Sequence, residues 1–297
     1  MKIGYPCINR SIGCSGNKTF QLKSFTKERL LETVQSNLDC LEKILIFNVI
    51  NHLLFFRISS DLVPFASHPI MSINWQEEFK NRFKSIGEYI KEKNIRISMH
   101  PGQYTVLNSP SSDVVQRSAA ELDYHAQILE LMDLTSEAKI QLHVGGVYGN
   151  KLESLQRFIR NYRQLNSRIK RYLVVENDER SYCLVDCLNI SAETGAPVLF
   201  DVFHESIFTK NFMLNTALEL QKETWSDSDG IPMLDYSSQK ADGKMGAHSD
   251  DLVSLDFLDF INESQPYEFD LMLEIKNKEK AALEALELVK ADSRFRG

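Results

Sequence analysis

Eight short apolar runs, spaced by longer segments of helical period, constrain this chain more than anything else in it. The runs are KIGYP (2–6), LLFFRIS (53–59), RISMH (96–100), KIQLHV (139–144), YLVVEN (172–177), APVLFDV (196–202), PMLDYS (232–237) and FDLMLEI (269–275). Most are continuously apolar instead of alternating, which is the pattern of strands buried on both faces of a parallel sheet. Between them lie amphipathic stretches. In TKERLLETVQSNLDCLEKILIFN, Leu30, Leu31, Val34, Leu38, Leu41 and Leu45 recur at helical spacing. WQEEFKNRFKSIGEYIKEK, VVQRSAAELDYHAQILELM, KLESLQRFIRNYRQL and NKEKAALEALELVK read the same way. After the seventh run, SQKADGKMGAHSDD reads as a functional loop ahead of LVSLDFLDFI. Eight strands alternating with eight helices predict an α/β fold: one (β/α)8 TIM barrel domain over residues 1–297. A doubly wound open sheet is the alternative, but no glycine-rich phosphate fingerprint follows the first strand.

A chain of 297 residues, 43% of them hydrophobic, buries a large core without metal or disulfide staples. Cys7, Cys14, Cys40, Cys183 and Cys187 are an odd, scattered set without CxxC spacing. They are expected as buried or free thiols, which suits a reducing cytosol. The opening MKIGYPCINR has no basic region followed by an apolar core, and ILIF and LLFF are far too short to span a bilayer. The expectation is a cytoplasmic protein with no membrane partner. A formal net charge of −7 argues against a broad basic nucleic-acid surface. Bound cations would change that balance, since two or three divalent ions bring four to six positive charges to any cluster of acids.

In a βα barrel, chemistry gathers at the C-terminal ends of the strands. Those positions hold Tyr5, Arg57, His100, His143, Glu176, Asp201 with His204 just beyond, Asp235 with His248 in the following loop, and Glu274. Any one has a bland reading: a lone histidine is commonly a hydrogen-bonded structural residue, and a lone strand-end acid a helix cap or salt-bridge partner. Six strands ending in ligand-type residues make the bland reading weak. Carboxylates inside runs such as LVVEN, VLFDV and LMLEI are costly to bury as ions unless something compensates them. Beyond Arg57 the rim offers few cations, so metal ions are the economical compensation. Mixed oxygen and imidazole donors without thiolate suit Mn²⁺, Zn²⁺ or Fe²⁺. Ions bridged by carboxylates can share a phosphate and activate water. His125, mid-helix, and His52, ahead of the second run, read as structural or surface; His68 in PFASHPI lies on the functional face.

Taken in order, GYPCIN, FRISSDLVPFASHP, SMHPGQY, LHVGGVYG, VVENDER, FDVFH, DYSSQ, GAH and LEIK run through nearly the whole chain. This set resembles the UV damage endonuclease (UvdE/UvsE) family. The resemblance implies a barrel related to endonuclease IV and the xylose isomerase-like proteins. It implies an ATP-independent enzyme that nicks damaged double-stranded DNA immediately 5′ of a UV photoproduct, a cyclobutane pyrimidine dimer or 6-4 photoproduct. The ends left would be 3′-hydroxyl and 5′-phosphate, and excision repair would follow. It implies two or three divalent metal ions, Mn²⁺ foremost with Mg²⁺, Zn²⁺ or Co²⁺ as alternatives, held by His100, His143, Glu176, Asp201, His204, Asp235, His248 and Glu274. The family's lesion-probing pair falls on Gln103 and Tyr104, and its contacts to lesion or substrate strand on Tyr5, Asn9 and His68. A monomer is expected.

Some members carry a histidine where this chain has Asp235, and a modifiable lysine where it has Met233, so a carboxylated lysine cannot form here. Arg57 and Lys244 are candidates for neutralising phosphate. Three other readings stay open. An abasic-site endonuclease of the endonuclease IV type would share the metal architecture. A metal-dependent sugar isomerase would share the rim but has no use for a displayed Gln103-Tyr104 pair. A silent damage binder would have no use for eight ligands.

Overall fold

The structure is a computed structural model that describes residues 1–209 and 211–297. Its strands and helices follow in chain order: β1 (Ile3–Pro6), α1 (Lys27–Ile50), β2 (Phe55–Ile58), α2 (Trp75–Glu92), β3 (Arg96–Met99), α3 (Ser112–Leu131), β4 (Lys139–His143), α4 (Lys151–Gln164), α5 (Ser167–Tyr172), β5 (Leu173–Glu176), α6 (Leu184–Thr194), β6 (Val198–Asp201), α7 (Val202–Phe208), α8 (Leu214–Lys222), β7 (Met233–Tyr236), α9 (Ser254–Glu263), β8 (Asp270–Leu273) and α10 (Glu279–Val289). The eight strands close in sequence order, every pair parallel, with β8 returning to β1. Every expected strand is present. The one-helix-per-crossover expectation is corrected: α5 is an additional turn leading directly into β5, and α7 precedes α8 before β7.

Local chemistry starts the helices. Thr26 caps α1 by accepting the Arg29 N–H, and Asn74, Asn150 and Asn166 do the same for α2, α4 and α5. The apolar stripe of α1 (Leu30, Val34, Leu38, Leu41, Leu45) is buried against the outside of the barrel, where the outward strand residues Ile3, Tyr5, Phe56 and Ile58 join the same core.

Inward-facing residues divide the barrel into three layers, because alternate strand positions point to opposite faces. Phe55, Val174, Leu199, Met233 and Met272 form a buried apolar band. Beneath it, at the N-terminal end of the strands, Arg96 pairs with Asp270 at 2.8 Å and Lys139 with Asp229 at 2.5 Å. Trp225 lies against both cations, 5.6 Å from Arg96 and 5.5 Å from Lys139. Above the band, at the C-terminal mouth, come the polar residues that form the candidate site.

The cysteine expectation needs one correction. Cys14 and Cys40 are joined in a disulfide, their Cα atoms 5.9 Å apart, because the segment after β1 folds back over α1. Cys7, Cys183 and Cys187 are free thiols, as expected. Among the described residues no helix is long and apolar enough to cross a membrane.

Candidate metal centre

Strand register assembles the site. His143 on β4 stands opposite Glu176 on β5, and Asp201 on β6 opposite Asp235 on β7. Glu176, 1% exposed, is the hub: its oxygens lie 3.3 Å from His100 Nε2, 3.7 Å from His143 Nε2 and 4.0 Å from His204 Nδ1. Asp201 has two structural jobs. It ends β6 and also caps α7, accepting the His204 N–H through Oδ1 at 2.8 Å. The cap brings the His204 ring back over the mouth, with Nδ1 3.3 Å from Asp201 Oδ2. Across the mouth His248 Nδ1 lies 3.7 Å from Glu274 Oε2. The rings of His100, His143, His204 and His248 follow one another at centroid spacings of 5.2, 5.7 and 5.9 Å.

Three groups of donors result: His100, His143 and Glu176; Glu176, Asp201 and His204; Asp201, Asp235 and Glu274. Within each, ligand atoms lie inside 4.8 Å of one another, and Glu176 and Asp201 are shared between groups. Seven of the eight expected ligands are thus brought together, while His248 stands at the edge beside Glu274. Two carboxylates at that separation repel by roughly 3 kcal/mol at an effective dielectric near 20. One guanidinium, Arg57, serves this cluster of acids, bonding both oxygens of Asp235 and one of Glu274. Glu176 Oε1, Asp201 Oδ2 and His143 Nδ1 are buried with no hydrogen-bond partner among the described residues. Orphaned carboxylate oxygens within reach of imidazole nitrogens are what a divalent cation would satisfy, and the oxygen–nitrogen donor set fits one.

The electrostatics carry the same strain. Burial and the surrounding acids hold the Asp201 carboxyl well above its ordinary range. Burial raises Asp235 to about 8 despite Arg57. Burial lowers His143. For His204 burial works downward, but Asp201, Glu176 and Glu274 overcome it and raise the imidazole to about 9. Glu176 moves the other way: burial would raise it, but His143, His100 and His204 hold it down.

The residues expected to meet DNA divide. Gln103 and Tyr104 occupy the turn directly after His100 and Pro101, with Tyr104 84% exposed. They border a cavity of about 770 Å³ shared with Arg117, Glu121 and Tyr148. His68 is exposed, its Nδ1 accepting the Ile70 N–H. Tyr5 and Asn9 depart from expectation. Both are buried, with the Tyr5 hydroxyl donating to Asn48 and accepting from Asn9, so neither side chain presents a surface to a docking strand. Arg57 is also corrected: locked between Asp235 and Glu274, it is committed to the rim and not free for phosphate. Lys244 is exposed. His125 is wholly buried, with Nδ1 2.7 Å from the Glu121 carbonyl, and His52 is exposed after α1.

Three supporting residues escaped the sequence reading. Gln141 donates to Glu176 Oε2 at 2.9 Å and to Asp235 Oδ2 at 2.7 Å. Asn177 exchanges two hydrogen bonds with the Asp201 backbone. Glu179 reaches within 4.0 Å of His204 Nε2. The available signal was a polar residue two before His143 in KIQLHV, and the ENDER stretch following the Glu176 strand.

Comparison with known proteins follows the same lines. A family model described as UV-endonuclease UvdE matches residues 1–296. The UV DNA damage endonuclease of Clostridium perfringens (strain 13 / Type A) is 39% identical over 98% of this chain and 71% of its own length. That of Bacillus thuringiensis subsp. konkukian (strain 97-27) is 30% identical over 97% and 94%. The crystal structure of SacUVDE superposes with a TM-score of 0.95 at 45% identity, covering 99% of this chain and all of that one. Endonuclease IV from Thermus thermophilus shares the fold at a TM-score of 0.57 and 14% identity, over 85% and 93% of the two chains. The chain belongs to the UvdE family of UV endonucleases.

Proposed function

We propose that this chain nicks double-stranded DNA immediately 5′ of UV photoproducts without ATP, leaving 3′-hydroxyl and 5′-phosphate ends from which excision repair proceeds. The observation that carries the reading is the three overlapping donor groups sharing Glu176 and Asp201 at the barrel mouth, one turn of chain away from an exposed Tyr104. His100, His143, Glu176, Asp201, His204, Asp235 and Glu274 would hold two or three divalent ions, Mn²⁺ foremost, with His248 completing the set. Bound there, such ions supply Lewis-acid activation of the phosphodiester and of water.

The chain's own residues do the positioning. Asn177 fixes the Asp201 backbone, Gln141 fixes Glu176 and Asp235, and Arg57 holds Asp235 and Glu274, so the donors are set before substrate arrives. Photoproducts stack poorly, so extruding them costs less than flipping normal bases. Gln103 and Tyr104 would fill the gap left in the duplex, and exposed His68 would contact the lesion strand. Tyr5 and Asn9, buried, serve instead by tying β1 and the segment after it to Asn48 on α1. The working unit is one barrel domain acting as a cytoplasmic monomer.

The test is to incubate the protein and Mn²⁺ with duplexes carrying one photoproduct, one abasic site or no damage, and to map the nick. Cleavage 5′ of the photoproduct is expected. Intact photoproduct DNA beside a nicked abasic duplex would replace this reading with abasic-site cleavage.

A further inference from the structure

Beside the donor groups lies a second cavity of about 480 Å³, bordered by Cys7, His100, His248 and Glu274. Three cations line it: Arg57, Lys276 and Lys278. Arg57 is bound to Asp235 and Glu274, and Lys276 lies 3.3 Å from Asp250. Among the described residues the Lys278 ammonium has no hydrogen bond or ion pair, although the side chain is half-buried. An unpaired cation at the lip of an anionic site marks a place for an anion from outside.

The backbone around it is held against its preference. Lys278 adopts φ 53° and ψ −120°, a conformation that favours glycine. Its neighbours fix the turn from both sides. Lys276 N–H bonds the Ser249 carbonyl and Asn277 N–H the Asp250 carbonyl. On the other flank the buried Glu279 accepts from the Arg10 N–H at 3.0 Å and the Ser11 hydroxyl at 2.7 Å. Strained positions that surrounding contacts enforce gather at functional sites.

We propose that Lys278 is a direct contact to a backbone phosphate of the strand being cut, presented by this strained turn beside the metal donors. The inference rests on the DNA-nicking reading and adds a residue to it. Lys278→Gln removes the charge, Lys278→Arg keeps it, and Lys278→Gly removes it while relieving the backbone.

Binding to a duplex already nicked 5′ of the lesion, measured across salt concentrations, should lose about 0.9 from the slope of log affinity against log salt in Lys278→Gln and Lys278→Gly. Lys278→Arg should restore that slope. Single-turnover nicking should fall roughly 10²-fold in the two uncharged variants, with metal content unchanged by elemental analysis and no loss of thermal stability in Lys278→Gly. Wild-type slopes and rates in both uncharged variants would overturn the proposal, and so would loss of bound metal. Failure of the unmutated protein to nick photoproduct DNA would count against the functional reading alone, since the salt slope still reports on Lys278.

Discussion

At the N-terminal end of the barrel Arg96 meets Asp270 and Lys139 meets Asp229, cation for anion. At the C-terminal end Glu176, Asp201, Asp235 and Glu274 lie close together, Arg57 pairs with the last two, and four imidazoles stand among them. Both ends bury charge within the same closed sheet, on either side of one apolar band. The lower layer is complete in itself: Arg96 also donates to the carbonyls of Ile231 and Asp229, so its guanidinium is fully engaged. The upper layer keeps orphaned oxygens on Glu176 and Asp201. The difference separates charge paired within the fold from charge arranged as a donor set with unpartnered oxygens.

The sharpest way to break that contrast is Glu176→Gln. Removing the hub should cut nicking by at least about 10³-fold, equivalent to roughly 4 kcal/mol, and should lower bound metal measured by elemental analysis. Retained metal and retained rate would mean the upper layer is as self-contained as the lower. Asp270→Ala tests the other end. It leaves Arg96 buried without its partner and should destabilise the protein by about 3–5 kcal/mol in denaturant titration, with metal per folded chain unchanged.

Tyr104→Ala should cost a smaller amount, about 1–3 kcal/mol in preference for photoproduct over undamaged duplex, again with metal content intact. Substantial metal loss in this variant would remove Tyr104 from a probing role.

A separate effect concerns protons. In the metal-free protein the acids around His204 raise it to about 9, and burial raises Asp235 to about 8 and lifts Asp201 above its ordinary range, so the cluster retains protons at pH 7. A cation must expel them, so metal affinity should rise as pH climbs from about 6 to about 9, by about tenfold per unit for each proton displaced. Calorimetry in two buffers of different ionisation enthalpy reads that release, and a value of zero would contradict the assignment.

The barrel was legible because strands buried on both faces show as continuous apolar runs, and the rim because acids are conspicuous inside them. What stayed hidden depends on chain paths between elements. Nothing in the spacing of Cys14 and Cys40 says that the intervening segment doubles back over α1. Arg57 was visible as a cation at a strand end, but its capture by Asp235 and Glu274 needs the closed register that faces β2 towards β7 and β8 across the mouth. Tyr5 sits at the right end of β1, yet strand alternation turns it outward to Asn48 on α1. Gln141 is polar in an apolar run and could have been found by stepping back two residues from His143.

The joint at Asp201, where strand passes into helix with no loop between, also limits how the protein can change. One residue inserted there would rotate His204 by about 100° around the axis of α7 and carry it off the mouth. Length is therefore fixed at this crossing, whereas the long stretch between β7 and α9 can vary without moving a donor from its strand, save His248. Recombining loops to alter the damage this barrel accepts should begin there, and an insertion scan across 199–205 should find no tolerated site.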